Sequence, residues 1–532
     1  MIPVFCIRRL TASVVFLVAS FFATAQSTLP AIYANKITAA GMKTVLYKLA
    51  SDEFEGRETA TKGQHLAGKY IADQFESAGI APRGDSSYFQ IYPLEKTNMI
   101  DFSVSMNGKQ FKSYEECFMY PAGRDIDMSF PELVFINPDN KDTSKNLLFN
   151  VQTIAVLFAV KNTKGEERIS GEKMMLMKKN GAGASMGVFT SDTQIKSAKS
   201  MNTRSSLFSP ENSKEKEDRF GPRVVITEQK LKEILKDGTS KKNLRKIKRE
   251  TKKKNFVRYP LKHSMDVITR NEKESFHAEN ILGMIEGSDK KDEYIFITAH
   301  YDHLGKRNES IYYGADDDGS GTTAVIEIAK AFEEAKKAGH GPRRSIICMT
   351  VSGEEKGLLG SEYYVNHPII PLGKIVADLN IDMIGRMDEK HVTDSNYIYL
   401  IGSDKLSSEL HKISEQTNSE NTKINLDYSY NDEKEPHRFY YRSDHYNFAK
   451  NNIPVIFYFN GTHADYHKPS DTPDKINYAL MEKRSRLVFL TAWDLANRED
   501  RIVVDKHPKS DDTNKPASAP SGSEKKNELQ KQ

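Results

Sequence analysis

Cysteine is scarce in this sequence, which has three cysteines among 532 residues. So few cysteines are not a disulfide framework, and stability must come mainly from packing and from any bound metal. Basic and acidic residues are nearly balanced, at 77 and 73, which argues against a general binder of nucleic acid or of membrane surfaces. Glycine and proline, at 31 and 20, show no collagen-like or proline-rich bias. Because 38% of the residues are apolar, the composition predicts a globular chain with a substantial core.

Long apolar runs are also few, and the most prominent one lies at the N-terminus. Arg8 and Arg9 precede the apolar run 10–22, and the small residues at 23–25 complete the pattern of a cleaved export signal. The alternative is a membrane anchor, but a span needs about 20 apolar residues and this run is shorter. We therefore predict a signal peptide at 1–25 and an exported protein, periplasmic or secreted, without stable membrane insertion after cleavage.

Cleavage would remove Cys6 and leave Cys117 and Cys348. Cys348 lies in the apolar run 345–351, which is typical of a buried strand, so we interpret it as a small core residue. From the sequence alone, a disulfide between the two remaining cysteines is an alternative to two free thiols.

From about residue 277 to 498, strand-like and helical patterns alternate, which predicts an α/β fold with a mixed, mainly parallel central sheet and helices on both faces. Shorter apolar runs before this region predict a smaller, strand-rich module. The predicted strands are Tyr294–Thr298, Ser345–Val351, Ile375–Ile381, Tyr397–Ile401 and Pro454–Phe459, and the predicted helices are Thr322–Ala338, Ser407–Gln416 and Ile476–Asn497. The predicted divisions are 1–25 (signal), 26–100 (first part of the main domain), 101–270 (insert), 271–500 (core) and 501–532 (disordered tail).

A basic stretch at 241–254 carries nine Lys or Arg and a single acid, Glu250. One interpretation is a patch for nucleic acid or another anionic surface. The other is the solvated face of a helix. The stretch has no interleaved aromatic residues on which bases could stack, which favours the solvated helix, and we predict no nucleic-acid partner.

Polar residues that could bind metal follow the predicted strands. They are His300 and Asp302, the acidic segment 314–321, Glu354 and Glu355, Asp382, and His467. Parallel sheets bind ligands at the carboxyl ends of their strands, so five such positions point to one site. Histidine and carboxylate ligands suit zinc. With two histidines and three carboxylates as ligands, one carboxylate must bridge if two metals are held, and one of the adjacent glutamates is then free to take a proton.

These residues resemble the co-catalytic zinc aminopeptidase family, which includes bacterial leucyl aminopeptidase and glutamate carboxypeptidase II. The resemblance rests on His300-Tyr301-Asp302, Gly-Ala-Asp-Asp-Asp-Gly-Ser-Gly at 314–321, Gly353-Glu354-Glu355, Asn380-Ile381-Asp382-Met383 and Tyr466-His467. It implies a zinc-exopeptidase fold and two zinc ions. By the same resemblance, His300 and Asp382 bind one zinc, Glu355 and His467 bind the other, Asp317 bridges them, Glu354 is the general base and Asp302 orients His300.

The flanking segments extend the resemblance. Arg442-Ser443-Asp444-His445-Tyr446 is similar to a segment beside the family's substrate pocket, and Tyr440 corresponds to a tyrosine that polarises the scissile carbonyl in relatives, with Tyr441 as the adjacent alternative. Glu55-Gly56-Arg57 is similar to the family's N-terminal segment. The insert at 101–270 resembles a protease-associated domain.

The resemblance implies an exported zinc metallopeptidase acting on peptides, with an aminopeptidase as the first expectation. A carboxypeptidase and a single-zinc glutaminyl-peptide cyclase on the same fold are the alternatives. A non-catalytic receptor-like relative is disfavoured because no ligand is missing. A calcium-binding module is disfavoured because Asp316-Asp317-Asp318-Gly319 lacks the alternating spacing of an EF-hand loop.

Overall fold

The computed structural model describes residues 29–85, 87–120, 124–137, 148–162, 165–196, 207–208, 222–238 and 243–506. The predicted signal peptide at 1–25 and most of the predicted tail, at 507–532, lie outside the described residues. Within the described ranges, no helix has both the length and the apolar character that crossing a bilayer requires. The chain divides into two compact units, with residues 93–276 in one and the residues on either side of them in the other.

The helices and strands are numbered in chain order. The helices are α1 (Leu29–Ala34), α2 (Ala39–Leu49), α3 (Lys62–Ala78), α4 (Gly171–Lys179), α5 (Glu228–Ile234), α6 (Leu244–Lys254), α7 (Gly321–Lys337), α8 (Leu359–Asn366), α9 (Ser408–Thr417), α10 (His445–Ala449) and α11 (Tyr478–Asn497). The strands are β1 (Ala81–Pro82), β2 (Phe89–Met106), β3 (Lys109–Gln110), β4 (Cys117–Tyr120), β5 (Ile126–Ile136), β6 (Thr153–Phe158), β7 (Val160–Lys161), β8 (Glu167–Arg168), β9 (Ala184–Phe189), β10 (Leu207–Phe208), β11 (Arg223–Thr227), β12 (Phe256–Ile285), β13 (Lys290–His300), β14 (Lys306–Arg307), β15 (Ser310–Ile311), β16 (Arg344–Val351), β17 (Ile375–Ile381), β18 (Tyr397–Ile401), β19 (Asn425–Asp427) and β20 (Val455–Phe459).

The larger unit is built on a mainly parallel sheet with the strand order β19-β18-β20-β17-β13-β16-β12. Strand β13 pairs in parallel with both β16 and β17, and β17 pairs in parallel with β20. Every residue of β16 and β17 is buried, as expected for central parallel strands whose two faces are both covered. This arrangement confirms the predicted fold class.

The predicted elements of this unit agree closely with the observed ones. Strands β17 and β18 have the predicted bounds, and α7, α9 and α11 differ from the predicted helices by one or two residues at an end. Helix α3 ends at Gly79, whose φ of +80° favours glycine. Cys117 and Cys348 are both buried and free, so they form no disulfide.

The second unit, residues 93–276, contains a sheet with the order β12-β5-β6-β9-β11-β4, in which β5, β6, β9 and β11 are mutually parallel. This unit lies close to the predicted insert at 101–270, and the predicted domain limits stay a prediction. Helix α6 contains residues 244–254 of the basic stretch and buries Leu244, Ile247 and Thr251, so most of the cations in the helix face solvent. The likeness of this unit to a protease-associated domain stays a prediction.

Candidate active site

The polar residues predicted for the site lie at the carboxyl ends of neighbouring strands. His300 is the last residue of β13, Asp382 directly follows β17, and Glu354 and Glu355 follow β16. Asp317 lies in the turn before α7. Because β13 pairs with both β16 and β17, these ends meet at one edge of the sheet.

Two glycines leave room for the close packing of the Asp317 turn. A Cβ at Gly321 would collide with the carbonyl oxygen of Ile381, and one at Gly314 would collide with the carbonyl oxygen of Asp317. Asp471 also holds the turn. Its Oδ2 accepts hydrogen bonds from the backbone N–H groups of Asp316 and Asp317, at 3.0 and 3.2 Å. Sequence reasoning missed Asp471.

The structure brings the predicted residues together in two adjacent groups. In the first, His300 Nε2 lies 3.4 Å from Asp317 Oδ1 and 3.5 Å from Asp382 Oδ1. In the second, His467 Nε2 lies 3.0 Å from Asp317 Oδ2 and 3.3 Å from Glu355 Oε1. The two carboxylate oxygens of Asp317 therefore face different groups.

Two further side chains join these groups. One carboxylate oxygen of Glu354 joins the first group. It, a ligand atom of His300 and a ligand atom of Asp382 all lie within 4.8 Å of one another. His303 Nδ1 lies 3.0 Å from Glu355 Oε1. His303 was not among the predicted site residues, and the only sequence sign of it is its position three residues after His300.

The donor set fits divalent cations. His300 Nε2, Asp317 Oδ2 and Glu355 Oε1 are buried and have no hydrogen-bond partner among the described residues. Buried polar atoms are costly when unpaired, so atoms of this kind that converge on one place indicate a bound group. Imidazole nitrogen and carboxylate oxygen are ligands that zinc accepts.

Burial and mutual charge shift the pKa values in this cluster. Burial, with help from Glu355, raises the pKa of Glu354 well above its usual range. Burial and Asp317 oppose ionisation of Glu355, but His467 and His303 outweigh them and hold the pKa of Glu355 at about 2. Burial likewise disfavours the charged form of His467, but Glu355 and Asp317 raise the pKa of His467 to about 11. The carboxylates thus stabilise positive charge within the site.

Asp302 lies beside the imidazole of His300, and the orienting role that the resemblance implies for it stays a prediction. His300 Nδ1 lies 3.1 Å from the backbone oxygen of Asp302 and 3.7 Å from its carboxylate. The carboxylate instead accepts a hydrogen bond from Thr59 Oγ1 at 2.6 Å and one from the backbone N–H of Glu354 at 3.2 Å. The backbone of Asp302 thus contacts the imidazole, and its side chain holds the segment that carries Glu354.

Arg57 links the loops around the site through hydrogen bonds to their backbones. It is fully buried and donates hydrogen bonds to four backbone carbonyl groups, those of Leu49, Tyr301, Tyr313 and Gly314. Burial lowers the pKa of its guanidinium to about 10, against the attraction of nearby aspartates. Its charge therefore offsets part of the negative charge of the site.

We expect Arg57→Leu to lower the free energy of unfolding by about 3–5 kcal/mol, because it leaves buried carbonyls and carboxylates uncompensated. Urea unfolding followed by circular dichroism measures the change. The matched control is Arg307→Leu on the exposed strand β14, which we expect to change stability by less than about 0.5 kcal/mol. Equal effects of the two substitutions would contradict the role given to Arg57.

A cavity opens beside the two groups. The residues lining it are Asp317, Glu354, Asp382, Met383, Phe439, Arg442, Phe457, Phe459, Tyr466 and His467. The ring of Tyr440 packs against Tyr441, His445 and Tyr446, whereas its neighbours in the chain, Phe439 and Arg442, line the cavity. The carbonyl-polarising role of Tyr440 stays a prediction.

Comparisons with known proteins bear on this site. Residues 280–492 match the sequence profile of peptidase family M28. A probable glutamate carboxypeptidase of Arabidopsis thaliana is 37% identical over 105 residues, which are 20% of this chain and 14% of the relative. A probable leucine aminopeptidase of Trichophyton verrucosum is 28% identical over 214 residues, which are 39% of this chain and 55% of the relative.

The matched segment, residues 280–492, contains all the predicted metal-site residues. Arg57 and Thr59 brace the site but lie outside this segment. The chain matches less than two thirds of the length of either relative. A solved structure, the aminopeptidase from Aneurinibacillus sp. strain AM-1, is 17% identical and covers 89% of this chain and 98% of its own, with a TM-score of 0.53. This likeness concerns the fold.

Proposed function

We propose that this chain is a zinc metallo-exopeptidase that holds two zinc ions and releases N-terminal residues from peptides. The observation that carries the proposal is Asp317, whose two oxygens face two different groups of buried ligand atoms. His300 and Asp382 would hold one ion, Glu355 and His467 the other, and Asp317 both. The match of residues 280–492 to peptidase family M28 supports the choice of peptide hydrolysis.

Zinc held there would polarise the scissile carbonyl and lower the pKa of the attacking water towards about 7. Glu354 lies in the first group and lines the cavity, so its carboxylate can take the proton of that water and pass it to the leaving amine. Burial raises the pKa of Tyr466 well above its usual range, which keeps its hydroxyl protonated. Tyr466 also lines the cavity and can donate to the carbonyl oxygen of the substrate.

The N-terminal pattern at 8–25 supports export to the periplasm or the medium. Expression of the full chain in a bacterial host, followed by fractionation and N-terminal sequencing, tests this part of the proposal. We expect an exported protein beginning after Ala25. Retention of residues 1–25 on the mature protein would contradict it.

We expect elemental analysis of the purified mature chain to find about two zinc ions per chain. Chelation should abolish hydrolysis of aminoacyl anilides, and added zinc should restore it. N-acetylated substrates serve as the control, because an aminopeptidase leaves them intact. One zinc per chain together with ammonia release from N-terminal glutamine would instead indicate the cyclase.

A further inference from the structure

Arg442 gives the cavity a positive charge that the proposed hydrolysis does not use. The cavity is small, with an accessible volume of about 30 Å³, and it opens to solvent. Asp317, Glu354 and Asp382 line it on the side of the ligand groups, and Met383 and Phe459 are among its apolar lining residues. A substrate positioned for cleavage therefore lies in the same cavity as the Arg442 guanidinium.

The surroundings of Arg442 fix the guanidinium but leave most of its donors available. Its Cζ lies 4.8 Å from the centre of the Phe439 ring, and Nη2 donates a long hydrogen bond of 3.5 Å to the hydroxyl of Tyr466. In the described part of the chain, no carboxylate pairs with Arg442, although the acids of the site lie in the same cavity. A guanidinium has five N–H donors, and the Tyr466 hydroxyl takes one of them.

The planar fork of a guanidinium matches a carboxylate, which it binds through two parallel hydrogen bonds. Peptides carry carboxylates in two places, on acidic side chains and at the C-terminus. We propose that Arg442 is a specificity-determining residue that selects peptides with a carboxylate next to the scissile bond. The inference rests on the proposed function and names a substrate class for the same site.

Two pairs of substrates, each matched in shape, separate the two sources of the carboxylate. Glutamyl and glutaminyl anilides differ only in the side-chain carboxylate, and Ala-Leu and Ala-Leu-amide differ only in the C-terminal one. We expect the wild type to favour the carboxylate member of one pair by about 10- to 100-fold in kcat/KM, mainly through KM. The pair that shows the preference identifies the source.

The variants Arg442→Met and Arg442→Lys test the residue itself. Arg442→Met should remove the preference, and Arg442→Lys should keep part of it, because lysine retains the charge without the fork. The matched control is Arg438→Met. Arg438 also packs on an aromatic ring, with its Cζ 4.4 Å from the centre of Tyr441, but it does not line the cavity, so its loss should leave the preference unchanged.

A binding measurement supplements the kinetics. In the Glu354→Gln background, calorimetry with Ala-Leu and Ala-Leu-amide reports binding without turnover, and circular dichroism confirms that each variant is folded. An unchanged substrate ratio in Arg442→Met, or equal kcat/KM within both pairs for the wild type, would overturn the inference while leaving the peptidase intact. If the zinc-loaded wild type cleaves none of the four substrates, the proposed function is overturned as well.

Discussion

Replacing Glu354 with glutamine is expected to lower kcat by about 100- to 10,000-fold, the range that general acid–base catalysis contributes. The amide has nearly the shape of the carboxylate but cannot accept the proton of the attacking water. Glu354 lines the cavity, and its backbone is fixed by the hydrogen bond to Asp302. The loss should therefore reflect the missing base and not a displaced loop.

The same substitution distinguishes two roles that the geometry allows for Glu354. An oxygen of Glu354 lies close enough to His300 and Asp382 to serve as a ligand. If it is the base, Glu354→Gln retains the zinc content of the wild type, and if it is a ligand, zinc is lost along with activity. Glu309→Gln, on the exposed turn before β15, is the matched control and should change neither quantity. Near-normal activity of Glu354→Gln would remove Glu354 from the mechanism.

Two strands of the larger unit were predictable because they are buried on both faces. Ile375–Ile381 is apolar except for Asp378 and Asn380, and Tyr397–Ile401 is apolar throughout; the structure gives both strands these limits. Asp382 stands at the end of the first run, so its place at the sheet edge followed from the pattern.

The walls of the cavity were harder to predict. Strand β20 is apolar at every position, so the sequence gives no alternation to show that Phe457 and Phe459 line the cavity while Tyr458 packs in the core. His303 and Asp471 were missed for a similar reason. Their contacts, with Glu355 and with the backbone of Asp317, come from segments distant in sequence, and only the folded chain brings these segments together.

Tertiary contacts also allow charged residues to lie within a strand. Glu272, Lys273 and Glu274 are consecutive charged residues, and they lie in the long strand β12. Lys273 pairs with Glu95 on β2, which offsets the charge along the strand.

Asp317→Asn is expected to reduce bound zinc from about two ions per chain towards none and to abolish hydrolysis. Its carboxylate is the one that faces both groups, with Oδ1 3.4 Å from His300 Nε2 and Oδ2 3.0 Å from His467 Nε2. An amide carries no charge and offers one oxygen, so it cannot bridge two cations. Burial opposes ionisation of Asp317, but the two histidines hold its pKa well below the usual range, so the carboxylate is ionised.

Two single-group variants make this prediction specific. Glu355→Gln alters the group of His467, and Asp382→Asn alters the group of His300, so each should leave about one zinc ion per chain. Elemental analysis of all three proteins, with circular dichroism to confirm folding, measures the difference. If Asp317→Asn retains as much zinc as Glu355→Gln, the carboxylate serves one group only. The two sites would then be independent, and the bridging geometry that carries the proposed function would have to be abandoned.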